Sequence, residues 1–88
     1  MLSMVGGSLE QMQALEHQFA SDAQAVGDLQ RRITAAVSNT TWTGPAADRF
    51  RSEWNGTFVG ALSRLQEALQ ENAGVVRNRR TAIQTATA

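Results

Sequence analysis

Trp42-Thr43-Gly44-Pro45 is the stretch that decides the fold, because one long helical pattern runs into it and another runs out of it. Pro45 suits the first position of a helix, where its missing N–H costs nothing and its fixed φ is already helical, and Gly44 is an acceptable N-cap before it. Asp48 then falls near the positive end of that helix, a favourable place for a carboxylate. The connection ahead of it, Ser38-Asn39-Thr40-Thr41, is polar, so a large aromatic at Trp42 is expected to fold back over the open end between two helices. The stretch thus reads as the bend of a helical hairpin, spanning about 39–44.

Upstream of the bend, Ser8-Leu9-Glu10-Gln11 has the form of a capping box, and it opens a helix expected over about 8–38. Met12, Phe19, Val26 and Ile33 recur every seven residues, Leu15 and Leu29 take the companion position, and Leu9, Ala23 and Val37 flank them. Asp22 is the one charged residue on this seam, and Gly27 is tolerated at modest cost. Downstream, a helix is expected over about 45–84. Ala47 and Phe50 begin its apolar stripe, Leu62, Leu69, Val76 and Ile83 repeat by sevens, Phe58 and Leu65 fill the companion position, and Trp54, Ala61, Ala68 and Val75 line the flank. Asn55-Gly56 is turn-prone, but the apolar phase continues through it, so one helix with a bend there is expected. Beyond Asn72 the seam weakens, and fraying or a partner contact should begin.

The expected fold is therefore all-α: one domain over residues 1–88, built as an antiparallel two-helix hairpin, with 1–7 outside the ordered part. Each apolar face is three positions wide, enough to touch two neighbours where a hairpin supplies only one. A chain of 88 residues also buries a small share of its surface alone. Both points call for a partner, with the helices forming part of a larger bundle.

Composition removes several function classes. A formal net charge of zero and a pI near 6.6 lack the footprint of a nucleic-acid binder. There is no cysteine for a disulfide or thiolate metal site, and no apolar run long enough to span a bilayer. The N-terminal residues show neither a basic start nor an apolar core of a signal peptide, so if the protein leaves the cell it does so by a route without a cleaved signal peptide. His17 is the sole histidine, with no second base or ligand in helical register, and no tyrosine is present. The expectation is no catalytic residue, no metal, no cofactor and no small-molecule substrate, hence not an enzyme. Arg77, Arg79 and Arg80 read as solvated charges that complement a helix C-terminus. Asn72 fixes register or partner choice, or else sits in water at the edge of the bundle.

At Trp42-Thr43-Gly44 the chain resembles the WXG family of hundred-residue proteins, the small Esx-type substrates of type VII secretion. The run Gly44-Pro45-Ala46-Ala47-Asp48-Arg49-Phe50, with Trp54 after it, carries the resemblance along with the central position of the motif. The resemblance implies an antiparallel hairpin that pairs, with itself or with a WXG-type paralogue, into a four-helix bundle exported in the folded state. It makes Trp42, Thr43 and Gly44 a bend and recognition motif. It also makes Met12, Leu15, Phe19, Val26, Leu29, Ile33, Phe50, Trp54, Phe58, Leu62, Leu65, Leu69 and Val76 the hairpin or dimer seam. The implied partners are that second hairpin and, through the dimer, the type VII secretion ATPase. Signal-bearing members carry a tyrosine followed four residues later by an acidic residue; Arg77 and Thr81 stand at those positions here. The chain therefore resembles the signal-less member of a pair, secreted by riding on a signal-bearing paralogue. The alternative is a cytoplasmic homodimeric adaptor or the targeting module of a larger effector.

Overall fold

The computed structural model describes residues 7–87. The stretch 1–7, expected outside the ordered part, lies apart from Gly7 outside the described residues. The chain is a helical hairpin: α1 (Leu9–Asn39), the bend, α2 (Pro45–Glu53), a single wide π turn (Trp54–Phe58) and α3 (Val59–Thr87). The last three run on as one continuous helix. Among the described residues there is no strand. The molecule is a rod, 66 × 17 × 15 Å.

The first helix begins where its cap predicts. The Ser8 hydroxyl accepts the Gln11 backbone N–H at 3.2 Å, satisfying a donor that the first turn leaves unpaired, and Glu10 sits in that turn. At the other end, the Thr40 hydroxyl donates to the Ala36 carbonyl at 2.6 Å, while Thr40 itself is extended and stops the helix. Gly44 then caps α2 with φ 113° and ψ 174°. A Cβ there would meet nothing within 4 Å, so it is the backbone conformation and not lack of room that demands glycine. Pro45 follows at the helix start, and the Asp48 N–H donates to the Gly44 carbonyl at 3.0 Å.

The two long helices meet through small residues. Ala23, Gly27, Ala47 and Ala73 are the buried positions among those described, and no large side chain is fully enclosed. Gly27, which the sequence merely tolerates, proves to be a close approach. A Cβ on it would lie 2.8 Å from the Gln66 side-chain nitrogen. The larger seam residues Met12, Phe19, Val26, Ile33, Trp54, Leu62, Leu69 and Val76 are half-buried around this line.

The wide turn falls at the weak point the sequence marks, Asn55-Gly56. A π turn takes in one extra residue, and here it resets the helical phase. Ala47, Arg51 and Trp54 face inward before it; Val59, Leu62, Gln66, Leu69 and Ala73 face inward after it. An unbroken α-helix would have carried Phe58, Leu65 and Asn72 inward.

Beyond Asn72, where fraying or a partner contact is expected, the helix does not fray: α3 continues to Thr87, past the anticipated end near residue 84. A cross-link joins the two helices near the end of the rod away from the bend. Glu16 Oε1 lies 2.9 Å from Arg80 Nη1, with Arg77 at 3.9 Å from the other carboxylate oxygen. Arg80 is thus held against α1 and is not the solvated charge the sequence suggests. Half-buried Ile83 continues the seam past it.

Candidate functional site: an apolar interaction surface

Residues of the bend are fixed by one guanidinium. Arg51, half-buried on α2, donates from Nη1 to the Trp42 carbonyl at 2.8 Å and from Nη2 to the Thr40 carbonyl at 2.9 Å. A planar fork with two donors on one side suits two carbonyls better than any ammonium would. Arg51 falls between the apolar positions of α2, and no motif in the sequence marks it. The same is true of Thr34, whose hydroxyl accepts the Trp54 indole N–H at 2.9 Å and so ties the start of the wide turn to α1.

Trp42 does not plug the open end of the hairpin. Its ring tilts against Phe50, centroids 5.8 Å apart, over a cleft of about 170 Å³ lined by Ala36, Val37, Thr40, Phe50 and Arg51. Trp42, Phe50 and Phe58, together with Leu15, Leu29 and Leu65, remain between 40 and 47% exposed. For the five other than Trp42 the sequence left hairpin seam and dimer seam open, and the hairpin alone does not cover them. Thr43 and Gly44 are exposed beside them.

Apart from Val75, 54% exposed and turned away from α1, the exposed apolar residues of the two long helices form two stripes. Leu15 and Leu29 lie two heptad steps apart on α1, with Asp22 midway between them; Phe58, Leu65 and Asn72 follow one another by heptad steps on the second helix. Both stripes lie on one side of the rod. The opposite side is an open groove lined by Ala20, Gln24, Gln66, Gln70, Ala73 and Arg77, small and polar side chains with no large apolar one among them. The half-buried Phe19, Val26, Ile33, Leu62, Leu69 and Val76 lie between the stripes and the hairpin seam. One side therefore displays large apolar residues, and the other is a groove of glutamine, arginine and alanine.

Among the described residues no three His, Cys, Asp or Glu side chains gather at one point, and no helix is long and apolar enough to cross a membrane. His17 is exposed. No protein-family model matches the chain, and none of the curated proteins or solved structures compared with it matches either.

Proposed function

We propose that this chain is a WXG-type hairpin that pairs through its apolar side with a second helical hairpin and leaves the cell, folded, by type VII secretion. The observation that carries the reading is the one-sided display of Leu15, Leu29, Phe58 and Leu65 along the rod. A contiguous apolar surface of this kind marks an interaction site, and two such hairpins laid face to face make a four-helix bundle. The resemblance at Trp42-Thr43-Gly44 supplies the secretion route, and the positions of Arg77 and Thr81 make a signal-bearing paralogue the partner that the route requires. The chain itself acts as a binding module without catalysis, and the secretion ATPase reads the assembled pair.

The deciding experiment is co-expression with candidate hairpins in a cell with an active type VII system, followed by native mass spectrometry of the medium. One-to-one pairs containing this chain are expected outside the cell. Retention inside with every candidate partner, while the partners themselves are exported, overturns the reading. The missing tyrosine also favours a second reading, a cytoplasmic homodimeric adaptor, which the same experiment would reveal as a self-pair confined to the cell.

A further inference from the structure

Three polar residues interrupt the two stripes, Asp22 on α1 and, at successive heptad steps on α3, Asn72 and Arg79; the first two sit together. Gly27 against Gln66, with Ala20 and Ala73 sharing one groove, sets the antiparallel register of the hairpin. That register places Asp22 and Asn72 at nearly the same height, one on each stripe and close to the middle of α1. Neither needs the other in the lone hairpin. Both Asp22 oxygens accept from the Gln18 side-chain amide at 2.9 and 3.0 Å, and the Asn72 amide donates back to the Ala68 carbonyl at 2.7 Å. The ion pairs among the described residues are Arg31 with Asp28, and Glu16 with Arg77 and Arg80; Asp22 joins none of them.

We infer that Asp22 selects the partner: the apolar side is built to receive a different hairpin, one that presents a lysine or arginine at mid-height on the stripe facing α1. The inference rests on the pairing proposed above and deepens it by naming the partner's chemistry. In an antiparallel pair the mid-height of one hairpin meets the mid-height of the other. A second copy would then bring its own Asp22 into the same stretch of seam, where closing the bundle removes water from both carboxylates and supplies no cation at that height, Arg79 standing a further heptad step, about 10 Å, along α3. Like charges so placed oppose association, whereas a carboxylate facing a cation steers it and suppresses wrong partners. Asp22 is a single charge in an otherwise apolar stripe, the arrangement by which one polar seam residue sets partner choice at a cost in stability. Asn72 beside it offers an amide that can turn to either a cation or a carboxylate.

The full chain tests this in solution through two exposed, helix-compatible substitutions, Asp22→Leu and Asp22→Lys, with circular dichroism as the check that each folds. Sedimentation equilibrium is expected to show Asp22→Leu associating with itself at least about tenfold more tightly than the unaltered chain. An equimolar mixture of the unaltered chain with Asp22→Lys should give mixed dimers well beyond the statistical half by native mass spectrometry, and added salt should erase the excess. If the unaltered chain and Asp22→Leu both dimerise and do so equally tightly, or if the mixture is statistical, the role of Asp22 is overturned and the pairing surface stands. If Asp22→Leu, too, stays monomeric, or if adding Leu65→Glu to it leaves its dimer intact, the apolar side is not the interface. In that case the inference and the proposed pairing fall together.

Discussion

Glu16 and Arg80 meet at 2.9 Å near the end of the hairpin away from the bend, their side chains only 13 and 20% exposed. The two charged atoms are sheltered and lack hydrogen-bond alignment with each other, so the contact is an ion pair whose strength comes from reduced solvent. Replacing Glu16 by Gln leaves Arg80 sheltered without its counter-charge. A loss of about 1 to 2 kcal/mol is expected, between the small value of exposed pairs and the larger cost of breaking a buried one. Hydrogen exchange should show the change where it acts, as faster exchange over the last three turns of α3 with the bend unaffected.

Gly44 and Gly56 should respond to alanine in opposite directions. At Gly44 the positive φ makes any side chain strained, and a loss of about 1 to 3 kcal/mol is expected. At Gly56 a Cβ meets nothing within 4 Å and φ is not positive, so alanine should stabilise by up to about 1 kcal/mol. Paired denaturant titrations of the two variants check the sign of each.

Arg51→Lys keeps the charge and loses the fork. One ammonium in place of the guanidinium gives up at least one of the two carbonyl contacts to Trp42 and Thr40, costing about 1 to 2 kcal/mol. Thermal melts should place Arg51→Lys close to Arg51→Ala. A lysine variant as stable as the unaltered chain would mean that charge alone matters at this position.

Trp42→Ala separates a structural ring from a recognition ring. With Trp42 44% exposed, its contact with Phe50 is expected to be worth no more than about 2 kcal/mol. Export should fail outright in a type VII-competent cell even when the melt of the purified variant moves by only a few degrees. Normal export of a well-folded Trp42→Ala chain would remove the motif from the recognition step.

Expressed without any paralogue, the chain should stay inside the cell, and a partner bearing the tyrosine tail should bring both chains out together. Mutation of the partner's tail should strand both. Secretion of this chain alone would show that it carries its own signal in spite of Arg77 and Thr81.

The hairpin was legible because its signals are local. Ser8 and Gln11 announce the first helix, Gly44 and Pro45 announce the second, and the heptad recurrence of Met12, Phe19, Val26 and Ile33 carries the period between. What periodicity does not settle is which neighbour each stripe meets. Leu15, Leu29, Phe58 and Leu65 obey the same repeat as the half-buried residues, and only the small side chains of Ala23, Gly27 and Ala73 decide which line the helices close upon. Hydrophobic reckoning undervalues such residues, because their contribution is proximity and not area. Arg51 with its two carbonyls, Thr34 with Trp54, and Glu16 with Arg80 were hidden for another reason. Each joins positions distant in sequence, and a polar residue in a helix carries no mark of the partner it will find.

The π turn at Trp54–Phe58 has the character of a one-residue insertion that was kept. Deleting a single residue there, Asn55 or Gly56, would let the helix run on without the wide turn and keep everything after it in phase with α2. Leu62, Leu69 and Ala73 would still face α1, and Phe58, Leu65 and Asn72 would stay outside. Closing the wide turn with every residue retained would do the opposite: it would rotate α3 by about 100° and exchange the inside of the chain for its outside. In this molecule the identity of the exposed apolar side is thus stored as a count of residues as much as in their chemistry, and one surplus residue is silent only while its turn stays wide.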